Sequence, residues 1–108
     1  MSNTAKIRAL NDVFQTTFQG GKVIATATIA ALPEDQQVAI FTAVRTFNDF
    51  TADNDPHSEH DFGAFAIDCE QFFWNIDCYN TTMQRGSEGP ADPTQTTRVL
   101  TIMLASEY

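Results

Sequence analysis

Two aromatic, β-branched runs close together constrain this chain more than any other feature. Phe62 to Ile67 and Phe72 to Tyr79 are separated by the polar tetrad Asp68-Cys69-Glu70-Gln71. In the second run Phe72, Trp74, Ile76 and Cys78 alternate with Phe73, Asn75, Asp77 and Tyr79. Alternation with period two puts the first set on one face of a strand and the second on the other. A β-hairpin is the simplest structure that accepts both runs, and a hairpin needs helices or further strands to cover its apolar face.

The rest of the chain supplies such cover. Asn3 or Thr4 is placed to cap a helix carrying Ile7, Leu10, Phe14 and Phe18 at helical spacing, stopped by Gly20-Gly21. Val23 to Ala31 alternates apolar residues with threonine and predicts a strand. Pro33-Glu34-Asp35 opens a second helix, in which Val38, Ile40, Phe41, Val44 and Phe47 form a stripe ending near Phe50. Thr51 to Asp61 and Thr81 to Ala91 are polar and predict loops. Asp92-Pro93 looks like the cap and first position of a last helix through Val99 to Leu104, with strand as the alternative because of its β-branched content. The expected architecture is a single α+β domain over residues 1–108, in the order α-β-α-β-β-α, with a small, mostly antiparallel sheet packed with helices. A chain of 108 residues with nine phenylalanines can bury about 65% of its unfolded surface without staples.

Charge is unevenly distributed. Three bases against one acid leave Met1 to Pro33 at +2, ten carboxylates against Arg45 leave Glu34 to Asp77 at −9, and Cys78 to Tyr108 stands at −1. An acidic middle of this kind repels phosphates and anionic lipid, so direct nucleic-acid and membrane binding are excluded as expectations and a basic protein surface is favoured. No apolar run approaches membrane-spanning length, and no secretory start is visible, which predicts a cytoplasmic protein. In that compartment Cys69 and Cys78 are expected to be free thiols.

Both histidines lie in Asn54-Asp55-Pro56-His57-Ser58-Glu59-His60-Asp61-Phe62-Gly63. His57 and His60 with a nearby carboxylate have donor types suited to zinc or iron, but H-x-x-H in a loop with no third histidine is a weak metal pattern. His60 with Asp61, Glu59 or Asp77 is a candidate acid–base pair, yet no serine or cysteine stands in a nucleophile context. The structural role weighs more: Asn54 or Asp55 capping the turn before Pro56, His60 or Asp61 satisfying backbone groups, and Gly63 permitting close packing. No cofactor is expected.

The strings Asn54-Asp55-Pro56, Glu59-His60-Asp61-Phe62-Gly63, Trp74-x-Ile76-Asp77, Ala91-Asp92-Pro93 and Thr97-Arg98-Val99-Leu100-Thr101-Ile102-Met103-Leu104-Ala105 resemble a small bacterial domain-of-unknown-function family, number 3768, from about Arg8 to Tyr108. The resemblance implies a pattern in which Gly is usual where Cys69 stands, Tyr where Cys78 stands and Asp where Gly89 stands, departures that weaken any role for the hairpin turn and leave the Glu59-to-Gly63 string intact. The resemblance implies no established activity, and it implies residence on bacterial chromosomes and on mobile elements such as plasmids and prophages.

These features together predict a non-enzymatic acidic binding or inhibitor protein. Its partner-binding residues are expected to be Asp49, Asp53, Asp55, Glu59 and Asp61, a face that imitates duplex DNA, which carries one charge per ~1.7 Å of axis. The expected target is the basic nucleic-acid-binding surface of a host defence complex of CRISPR or restriction type. The alternative is a small metal-assisted hydrolase or nuclease using His57, His60 and a carboxylate.

Overall fold

A computed structural model describes residues 3–108. Helix α1 (Thr4–Thr17) leads into strand β1 (Gly21–Ala25), the single helical turn α2 (Ala27–Ala30) and helix α3 (Glu34–Arg45). A long loop then enters β2 (Phe62–Ile67) and β3 (Glu70–Tyr79), and a second loop enters β4 (Thr97–Leu104), followed by a 3-10 turn over Ala105–Glu107. The four strands form one sheet in the order β1-β4-β3-β2. β3 is antiparallel to both of its neighbours, whereas β1 runs parallel to β4. The domain is α+β as expected, but its sheet is mixed.

Helices and strands share one core. Phe14, Ile29, Ile40 and Val44 from the helices meet Phe72, Trp74, Ile76, Leu100 and Ile102 from the two central strands. The predicted face of β3 is therefore the buried one, as far as Ile76. Cross-strand pairing of Trp74 with Ile102 and Ile76 with Leu100 keeps these side chains on the helix side of the sheet. At about 1.5–3 kcal/mol for each fully buried large apolar side chain, this layer is the main source of stability.

Three local expectations need correction. The strand expected over Val23 to Ala31 ends at Ala25, because Thr26 starts a helical turn that swings Ile29 into the core at 0% exposure. The helix read from Asp92 onward is a turn followed by a strand. Asp92 does cap: its Oδ1 accepts the backbone N–H and the hydroxyl of Thr94, at 2.9 and 2.6 Å, and Gln95 N donates to its carbonyl. The chain then enters β4, whose near-continuous apolar run suits a central strand covered on both flanks by β1 and β3. Third, α3 ends at Arg45 rather than near Phe50. A side chain from α1 fastens this end, since Gln15 Nε2 donates to Val44 O in the last turn at 2.6 Å and to Phe47 O just beyond it at 2.9 Å.

The hairpin turn is tighter than the four-residue one expected. Ile67 pairs with Glu70, leaving only Asp68 and Cys69, both with positive φ (50° and 68°). Such a two-residue turn matches the twist of the strands, and it ordinarily draws Asn-Gly or Asp-Gly.

Candidate functional site

The segment before β2 is built as an ordered loop by its own side chains. Thr51 N donates to Asn54 Oδ1 at 2.8 Å, and Asn54 Nδ2 reaches back to Asp49 O at 3.0 Å. Asp55, 7% exposed, accepts the backbone N–H groups of Glu59 and His60 on one oxygen, both at 3.1 Å. Ser58 and His60 take left-handed backbone conformations, φ 55° and 54°, a cost that these bonds offset. Asn54 thus caps the turn before Pro56 as the sequence suggested, whereas the Asp55 carboxylate binds the amides that follow Pro56. Burial of Asp55 also removes it from the expected partner-binding face, because a carboxylate spent on two amides inside the loop is not presented to solvent.

Long-range bonds fasten this loop to the helix layer. Asn11, 1% exposed, donates from Nδ2 to Glu59 O at 2.9 Å and accepts from Arg98 Nε on its Oδ1 at 2.8 Å. Arg98, 3% exposed, also donates to Pro90 O. One side chain of α1 therefore couples β4 to the loop, and Arg8 Nη1 adds a bond to Ser58 O at 3.1 Å. His60 is held from three sides: Nδ1 lies 2.7 Å from Asp12 Oδ1, Nε2 lies 3.5 Å from Asp55 Oδ2, and its ring stacks on Phe50 at 3.9 Å and 5°. The pairing expected between His60 and Asp61, Glu59 or Asp77 is replaced by Asp12 and Asp55. Left-handed backbone at His60 turns the imidazole back toward α1 and away from its sequence neighbour.

Beneath the imidazole, Phe50 meets Trp74 edge-on at 6.1 Å and Phe47 meets it at 5.7 Å. Gly63 lies against the indole so closely that a Cβ there would run into Trp74 Nε1 and come within 2.6 Å of Cε2. That confirms the close-packing role expected of this glycine. Trp74 Nε1 itself is buried with no hydrogen-bond partner among the described residues.

The protonation of Asp61 is displaced. Burial pushes its pKa up, opposed by its own backbone N–H; the charges of Asp55 and Asp77 add to the rise, and His57 counters it. The Cys78 thiol is likewise pushed up by burial despite Arg98 alongside, which makes it a poor nucleophile. Both cysteines are free, Cys69 exposed in the hairpin turn and Cys78 half-buried.

Of the five expected partner-binding residues, Asp49 and Asp53 are exposed, Glu59 and Asp61 are half-exposed, and Asp55 is enclosed. Asp12 and Asp77, from α1 and β3, are brought toward the same loop, the first through His60 and the second within electrostatic range of Asp61. His57 is exposed and His60 half-buried. Among the described residues no three histidine, cysteine or acidic side chains are grouped as a metal ion would require. Sequence reading missed Asn11, Asp12, Gln15 and Arg98. A polar residue in line with Ile7 and Phe14 on α1, and an arginine at the head of the mostly apolar run Val99 to Leu104, were the signals available for two of them.

The site defines a class: a small α+β domain presenting a rigid, acidic, histidine-anchored loop at the head of its hairpin. Residues 25–107 match the model of the family described as "Protein of unknown function (DUF3768)", and the chain belongs to that family. The matched region holds the loop, the hairpin and β4, while Asn11 and Asp12 on α1 precede it. Neither a curated protein nor a solved structure matches the chain. Among the described residues no helix is long and apolar enough to cross a membrane.

Proposed function

We propose that this protein is a non-enzymatic acidic binding protein that occupies a basic, nucleic-acid-binding surface of another protein, with a host defence complex of CRISPR or restriction type as the target. The observation that carries this reading is the fixed loop over residues 49–61, which presents Asp49, Asp53, Glu59 and Asp61 from a backbone already ordered by Asp55, Asn54, Asn11 and Arg8. A preorganised charged loop loses little conformational freedom on binding, so more of its Coulomb attraction remains as affinity. Net charge −8 steers the molecule toward a basic partner.

The test uses a purified restriction nuclease or CRISPR surveillance complex from the host, with labelled duplex DNA as the competitor. The protein should displace DNA from its partner, and its own binding should weaken as salt rises. Asp49→Lys with Asp53→Lys should weaken displacement roughly tenfold or more and flatten the salt dependence. Displacement insensitive to both salt and these reversals would defeat the proposal.

A further inference from the structure

We infer that the open edge of β2 and the groove between α3 and the hairpin together dock an extended segment of a partner protein by strand addition, one apolar side chain seated in the groove with lysine or arginine beside it. Among the described residues the sheet ends at β2, which pairs only with β3. The bond from Ile76 N to Asp61 O sets the phase of the ladder. Gly63, Phe65 and Ile67 therefore bond toward β3, and the N–H and C=O groups of Phe62, Ala64 and Ala66 point outward. Exposed edges are commonly blunted by charges, proline or a bulge; Phe62 to Ile67 contains no charged residue and no proline, and Ala64 and Ala66 are small and exposed.

A groove of about 450 Å³ lies between α3 and the turn end of this strand. Leu32, Ile40 and Phe72 give it an apolar floor, and Asp35, Asp68 and Glu70 give it an acidic rim with no lysine or arginine among the lining residues. A strand laid along β2 would pass this rim, so its anchor must be apolar and its flank basic. Paired edge strand and helix-lined groove are the elements by which strand addition combines main-chain affinity with side-chain selectivity. A second copy of the chain fits poorly, because it would set one net charge of −8 against another. In the sign of the partner's charge this inference rests on the functional reading above; the surface itself is a different one.

The probe is a fluorescein-labelled synthetic peptide of ~10 residues, alternating valine and threonine around a central leucine, with lysines at both ends. Fluorescence anisotropy with the full chain should show saturable binding, roughly tenfold weaker for a glutamate-ended peptide and for the Asp35→Lys, Glu70→Lys double variant. Ala64→Pro removes only an outward N–H, so the β2–β3 ladder and the circular dichroism spectrum should persist while affinity falls roughly tenfold. Equal binding by Ala64→Pro, or no saturable binding at millimolar peptide, would overturn the inference. So would a concentration-dependent dimer, seen by sedimentation and lost in Ala64→Pro, with no peptide binding. Asp49→Lys with Asp53→Lys should leave peptide binding within about twofold. DNA displacement by the unaltered chain, with no saturable peptide binding, would overturn this docking mode while leaving the acidic-loop function standing.

Discussion

At its start, β2 emerges from a loop whose backbone groups are claimed by side chains as far away in sequence as Arg8 and Asn11. At its end, six residues later, it reverses through Asp68 and Cys69, two exposed residues held in left-handed conformations by the turn alone. Both ends contain two positive-φ residues that are not glycine. In the loop that strain is fixed by Asp55 and, beyond it, by contacts with α1 and through Asn11 with β4. In the turn it is local. The comparison teaches that one strand can carry a rigid, overdetermined end and a merely tolerated one, and the two respond differently to mutation.

The sharpest way to break the contrast is Gly63→Ala, which adds a methyl group where Trp74 leaves no room. Denaturant titration should show a loss of about 3 kcal/mol, since overpacking at this point displaces the indole under the whole loop. Asp55→Ala should cost about 2 kcal/mol by stranding the Glu59 and His60 amides, and should open the loop to proteolysis. Asp55→Asn, which keeps an accepting oxygen, should recover most of that loss. A comparable loss in both variants would mean that the carboxylate's approach to His60, and not its amide bonds, holds the loop.

At the other end the sign reverses. Cys69→Gly should stabilise by about 1 kcal/mol, because glycine accepts φ 68° without steric penalty. Smallest of all is Asp61→Asn. Because the folded-state pKa of Asp61 lies above its unfolded value, the stability tied to its proton is fully present below the unfolded pKa and is lost as pH rises through the folded one. The ionised group therefore costs stability at neutral pH. Because half of the group faces solvent, removing it should raise stability only slightly at pH 7 and flatten the acid limb of a thermal-stability profile. A neutral-pH loss would show that the carboxylate has a stabilising partner within the loop.

Much of this was legible in order along the chain. The hairpin, the buried face of β3 through Ile76, α1, the start of α3, and the capping of the turn before Pro56 by Asn54 followed from period-two alternation, helical spacing and cap chemistry. Asp92-Pro93 carried a true cap signal for Thr94 and Gln95, but a cap specifies one turn and not what comes after it. The segment after it, Thr97 to Leu104, is apolar on nearly every side, a pattern that a buried helix and a central strand share. Val23 to Ala31 failed in the opposite sense: its alternation was real through Ala25, and then Ile29 was needed elsewhere.

Sequence by itself determined where polar and apolar residues alternate, which residues cap turns, and that negative charge concentrates between Glu34 and Asp77, because each of these is a property of neighbours along the chain. Only the tertiary structure decided that β1 lies beside β4, that Asp12 rather than Asp61 holds His60, and that Asn11 joins Arg98 to the loop. Those contacts span dozens of residues, and a buried amide or guanidinium finds its partner through the packing of whole elements, which no local pattern encodes.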